Sequence, residues 1–271
     1  MPGDPGRIEL RNGLLNPTWW SELPLLTDPL FYAVAVPAVL LVGLSKSGFA
    51  SGFGSLATPM MALVIPVPQA AAIMLPLLMV MDAATLQQLW RHRDHALVRR
   101  IVPWGVAGTI VGWAMFGLLS ASAVAGLTGA LTLTFLAQRL LFPPRKDAPP
   151  APAWVGSGCA TLSGFTSFVA HAGGPPLAAY VLPLKLPPLA YSGTLAVFFG
   201  VINLAKWVPF AALGLIDLRN MSTALVLLPL APAGVWLGVW MTRHVSNTWF
   251  YRLAYTGMFL TGIKLLWDGL R

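Results

Sequence analysis

Twice in this chain a glycine-rich, polar stretch interrupts an apolar segment, and the two interruptions hold matching places in its two halves. The first runs from Gly43 to Gly54 and carries Ser45, Lys46, Ser47, Gly48, Ser51 and Gly52. The second runs from Gly164 to Pro176 and carries Thr166, Ser167, His171, Gly173, Gly174 and Pro175. Inside a bilayer, backbone that leaves a helix is tolerated only where protein buries it or water reaches it. Two such breaks, one per half, are what a secondary transporter uses to build a substrate site near the midplane.

Composition agrees with a membrane setting. The chain is 56% hydrophobic and 10% charged, where a soluble domain carries roughly 25% charged residues. An all-α polytopic membrane protein is therefore expected. Residues 1–29 include Asp4, Glu9, Glu22 and Asp28 and read as an N-terminal tail, not a secretory leader. A lone Cys159 excludes an intrachain disulfide and a multi-cysteine metal site. The formal net charge of +8 needs no nucleic acid to explain it, because most cations lie between apolar segments. Arg91, Arg93, Arg99 and Arg100 cluster in one connection, and Arg139, Arg145 and Lys146 in another. Both face the cytoplasm by the positive-inside rule, as suits a multi-pass membrane protein.

A spanning helix needs about 20 mostly apolar residues. Uninterrupted spans are expected near 69–90, 101–119, 122–142, 188–212, 221–241 and 248–267. Two further stretches, 30–46 and 154–170, run into the glycine-rich breaks and are followed by short apolar pieces at 55–66 and 175–184. This gives about eight transmembrane segments, with broken or re-entrant helices, in two homologous repeats. Repeat 1 covers 30–142, a proline-rich linker covers 143–153, and repeat 2 covers 154–271. Gly54 to Pro68 has the same length as Gly174 to Pro188. Pro103, Gly108, Gly112 and Met115 recur at identical spacing as Pro229, Gly234, Gly238 and Met241. Single crossings of the broken segments would make the repeats parallel, and re-entry would make them inverted. Arg243, His244 and Arg252 favour inversion, while Lys264 and Arg271 pull the other way.

Ionisable groups inside apolar spans cost roughly 2.5–3.5 kcal/mol each on insertion scales, so they mark sites or partners. Lys46, Asp82 and Lys206 are three such groups, with His171 in the second break and Asn203 one helical turn before Lys206. Asp82 can serve as an ion-pair partner of either lysine or as a coupling group. One carboxylate against two lysines leaves positive charge over, which favours an anionic substrate. Gly48, Gly52, Gly54, Gly173 and Gly174 remove side chains and let backbone N–H groups face a ligand, although membrane glycines also serve close packing. Pro175 suits the first turn of a new helix. His171 is either a proton carrier or a neutral hydrogen-bonded residue. The candidate substrate-binding set is therefore Lys46, Ser47, Gly48, Gly52, Gly54, His171, Gly173, Gly174, Pro175, Asn203 and Lys206, with no cofactor or metal. A membrane scaffold in which the charges pair structurally, and a membrane-embedded enzyme using His171, are competing classes. Neither a GxxxxGK[ST] loop nor a nucleophile elbow is present.

The run from Gly43 through Lys46, Gly48 and Gly54 to Pro59 resembles the first glycine signature of the sulfite exporter TauE/SafE family. Gln69–Pro76 and Met81-Asp82 continue it. Gly164-Phe165-Thr166-Ser167-Phe168-Val169-Ala170-His171-Ala172-Gly173-Gly174-Pro175-Pro176 resembles the family's second signature. Phe198–Lys206 and Leu228–Gly238 extend the match, so the resemblance covers about residues 30–268. It implies a multi-pass permease of two repeats in a bacterial inner membrane that moves small sulfur-containing anions such as sulfite or organosulfonates. It also implies that Lys46, Gly48, Gly52, Gly54, His171, Gly173, Gly174, Pro175, Asn203 and Lys206 are motif positions. The bilayer and a small anion are the expected partners, and homo-oligomerisation stays open.

Overall fold

A computed structural model describes residues 25–46, 53–116, 118–142, 151–244 and 247–271. Among these the structure is helical, without strands. In order the helices are α1 (Pro29–Lys46), α2 (Ala57–Met61), α3 (Val67–Leu89), α4 (His95–Phe116), α5 (Ala121–Leu141) and α6 (Ala153–Ala170). They continue as α7 (Gly174–Val181), α8 (Pro188–Ala205), α9 (Trp207–Ala212), α10 (Leu218–Leu227), α11 (Leu230–His244) and α12 (Asn247–Leu270). Among the described residues four segments are long and apolar enough to cross a membrane: Pro29–Lys46, Val67–His92, Pro188–Ala212 and Leu218–Leu237.

The expected spans 188–212 and 221–241 are among these segments, but a short turn next to a proline interrupts the helix in each. The stretch 188–212 divides at Lys206, because Pro209 has no N–H for the Ala205 carbonyl and its ring crowds that oxygen. The stretch 221–241 divides between Leu227 and Leu230, where Pro232 stands in the same relation to Leu228. The second glycine-rich break sits where expected, and the chain then doubles back. Tyr180 on α7 lies against Gly156 near the start of α6, so closely that a Cβ on Gly156 would be 2.3 Å from the tyrosine ring. Thus α6 and α7 form a helical hairpin with its tip at His171 and Gly173. Near the first break, Gly54 packs against Ser45, and the turn Phe53–Leu56 and α2 lie along α1.

Small residues set the main helix crossings. A Cβ on Gly164 would be 1.9 Å from the Gly105 carbonyl oxygen, and one on Gly108 would be 1.9 Å from that of Thr161, so α4 and α6 touch backbone to backbone. Gly43 and Gly234 do the same for α1 and α11. Helices α5 and α12 run antiparallel, with Gly126 beside Gly269, Gly129 beside Leu266 and Leu133 beside Gly262. Helices α3 and α8 are antiparallel too: Gly193 approaches Leu89, Gly200 approaches Leu86, and Asn203 reaches Asp82. The Asp94 N–H, which opens α4, donates to Thr194 Oγ1 on the first turns of α8 (2.9 Å). Helices α3 and α8 therefore meet at the centre, with the hairpin tip and the end of α1 against them.

Candidate functional site

Each of the two central helices starts on proline. Pro66 caps α3 and Pro187 caps α8, with a second proline in each first turn. Asp82 lies sixteen residues beyond Pro66, and Asn203 sixteen beyond Pro187. These two residues meet: Asn203 Nδ2 donates to Asp82 Oδ2 at 2.7 Å. The other carboxylate oxygen accepts an ion pair from Lys46 Nζ, at the last residue of α1. Asp82 is 1% exposed and the Lys46 side chain 22%, so the pair faces partly open space on the Lys46 side.

Lys206 stands at the Pro209-induced break and is 0% exposed. Its Nζ contacts Ser167 Oγ at 2.7 Å, Asn203 Oδ1 at 2.9 Å and His171 Nδ1 at 3.0 Å. Three acceptors match the three N–H donors of an ammonium. His171 Nε2 lies 2.9 Å from the Ala71 carbonyl oxygen on α3. A carbonyl can only accept, so Nε2 carries the hydrogen and Nδ1 is left to accept from Lys206. The network assigns this neutral tautomer. The result is a continuous polar chain, Lys46–Asp82–Asn203–Lys206–His171–Ala71, joining α1, α3, α6 and α8. Of the two pairings open for Asp82, Lys46 takes the direct one, and Asn203 relays the carboxylate to Lys206. Phe168 and Phe210 cover one flank edge to face (5.2 Å), and Phe210 reaches the His171 ring at 6.4 Å.

The second break is closed by its own hydroxyls. His171 adopts φ 53°, a left-handed conformation that ends α6 while its N–H still bonds the Ser167 carbonyl. The turn frees the carbonyls of Ala172 and Gly173. Ser163 Oγ donates to the second (2.6 Å), and Thr166 Oγ1, which is nearest the Leu162 carbonyl oxygen (2.9 Å), lies 3.1 Å from the first. The Gly173 carbonyl thus has the partner that buried backbone groups require. Gly173 is glycine for space, since a Cβ there would be 2.6 Å from the Ser163 carbonyl oxygen, whereas one on Gly174 would meet nothing within 4 Å.

Of the residues expected at the site, Lys46, Asp82, His171, Asn203 and Lys206 come together. Gly54 and Gly173 serve packing, Gly174 opens α7, and Pro175 follows it. Pro175 and Pro176 supply no N–H, so the first turn of α7 offers fewer anion donors than its glycines suggest. Ser47, Gly48 and Gly52 lie outside the described residues. Thr166, in the second break, spends its hydroxyl on backbone carbonyls of its own hairpin. Ser163 and the Ala71 carbonyl escaped sequence reasoning. Ser163 carries a usable signal, one turn before Ser167 on the same face of α6.

No curated protein and no solved structure matches this chain. The family model described as Sulfite exporter TauE/SafE matches residues 35–265, nearly the whole length. Helices long and apolar enough to span a bilayer, glycine-rich breaks and a buried cationic network thus accompany a whole-length match, and the chain belongs to the sulfite exporter TauE/SafE family of membrane transport proteins.

Proposed function

We propose that this protein is a secondary transporter that moves a small anion, sulfite or another sulfur-containing anion, across the bacterial inner membrane by alternating access. The observation that carries the reading is the charge of the central network. Lys46 and Lys206 bring two positive charges and Asp82 one negative, at the meeting point of a hairpin tip and two long helices. An anion entering there would exchange its hydration shell for Lys46, Lys206 and the hydroxyl and amide groups around them. The cytoplasm-negative potential favours anion exit by about 2.3 kcal/mol per charge per 100 mV, so export is the easier direction.

The fold supports two inverted repeats. If α4 corresponds to α11, as their proline, glycine and methionine spacings suggest, then α1, α3 and α5 correspond to α6, α8 and α12. The packing is then reciprocal: α1 lies on α11 and α6 on α4, while α3 meets α8 and α5 meets α12. The antiparallel run of the last two pairs is what inversion requires. In this reading each half has one re-entrant hairpin and three crossings, eight membrane segments in all. The halves rock against each other around the Asp82–Asn203 contact, which lies near the pseudo-two-fold axis.

A non-transporting scaffold is the second reading, favoured by the complete hydrogen bonding of Lys206. Uptake of radiolabelled sulfite into proteoliposomes decides between them, with Lys206→Ala reconstituted to equal yield. Saturable flux that the variant loses is the expected result. A variant that assembles poorly, beside a wild type without flux for any small anion, would favour the scaffold.

A further inference from the structure

We infer that the site selects by charge count, taking monovalent oxyanions over divalent ones, and that Asp82 is the residue that sets this count. The inference rests on the anion-transport reading above and specifies its substrate class.

Lys206 Nζ donates to three acceptors, the arrangement of an ammonium, and His171 is neutral because its Nδ1 is the acceptor of one of those bonds. Among the described residues the network therefore carries two positive charges and one negative. Its net charge is +1. Asp82, Asn203 and Lys206 are 1%, 3% and 0% exposed, so water screens this charge poorly. In such a setting an uncompensated unit charge is expensive, whichever its sign. One monoanion brings the site to neutrality. A dianion leaves one negative charge over.

Asp82 is placed to tune this without blocking it. One carboxylate oxygen takes the ion pair with Lys46 and the other takes the Asn203 amide. Lys206 has no carboxylate of its own, its three partners being a hydroxyl, an amide oxygen and an imidazole nitrogen. The carboxylate thus acts as a tethered anion already occupying one of the two cations. Substrate needs to neutralise only the other.

The test compares initial uptake of radiolabelled methanesulfonate, a monoanion, with that of sulfate, a dianion, into proteoliposomes clamped at zero membrane potential. Sulfite itself exchanges between both charge states near neutral pH and is a poor discriminator. Wild type should prefer methanesulfonate. Asp82→Asn raises the count to +2 and should shift the preference toward sulfate by about tenfold or more. The double variant Lys46→Gln/Asp82→Asn returns the count to +1 and should return the preference to methanesulfonate. A purely structural role for the ion pair predicts no such return. Should Asp82→Asn not reconstitute, Lys46→Gln alone, with a count of zero, should lose methanesulfonate uptake; retention overturns the inference. The same preference in all three proteins, or a wild type that favours sulfate, also overturns it while leaving anion transport standing. Folded wild type without saturable uptake of methanesulfonate, sulfate or sulfite overturns both.

Discussion

Asn203 is the joint through which the two halves share charge, and replacing it with leucine measures that joint. The side chain gives one hydrogen bond to the Asp82 carboxylate and accepts one from the Lys206 ammonium, at 2.7 and 2.9 Å. Neutral interhelical bonds in membrane proteins average about 0.6 kcal/mol. Bonds to an ionised partner are roughly twice as strong. Two of them come to about 2.5 kcal/mol. Leucine has nearly the same volume, so no cavity term is added. For a domain of this size the loss lowers the unfolding midpoint by about 5–8 °C. Thermal unfolding of purified protein in detergent, followed by tryptophan fluorescence, reads the shift. A fall of no more than about 2 °C would refute the claim that Asn203 bonds two charged groups. It would mean that Asp82 and Lys206 find other partners once the amide is gone.

The remaining predictions concern packing and topology. Gly164→Ala should abolish accumulation of folded protein, because its Cβ would be 1.9 Å from the Gly105 carbonyl oxygen; Gly158→Ala, on the same helix and with nothing within 4 Å, should be neutral. Size-exclusion profiles of the two variants check this, and equal behaviour would contradict the α4–α6 contact. In a Cys159→Ser background, His92→Cys and Lys185→Cys should be labelled by a membrane-impermeant maleimide only from the cytoplasmic side, and Leu118→Cys only from outside. Labelling of Lys185→Cys from outside would mean that the second broken segment crosses the membrane instead of returning.

Much of the architecture is visible in the residues because its causes are local. Helix α6 ends where His171 and Gly173 stand, and each central helix starts on a proline, as turn chemistry dictates. The glycine pairs at 108/112 and 234/238 announce close crossings. The two broken spans show where a local reading falls short: Pro209 and Pro232 were inside apolar runs, and apolarity outweighed the missing N–H in the expectation. Roles within the second break were also hidden. Thr166 and Ser163 face carbonyls of their own hairpin, and which way a hydroxyl points is not written in its spacing.

By itself the sequence determined that the chain is apolar enough for a membrane, where the second glycine-rich break falls, which residues bring charge into the apolar interior, and which family it belongs to. Each of these depends on composition or on neighbours within a turn or two. Tertiary structure alone decided that Asp82 takes Lys46 directly and Lys206 through Asn203, that His171 is the acceptor for Lys206, and that α3 meets α8 antiparallel. Those contacts join residues 36, 35 and 121 positions apart. Helices that are apolar on every side carry no periodicity to say which face meets which neighbour. Only close packing at the glycine crossings selects the faces, and with them the partner of each buried charge.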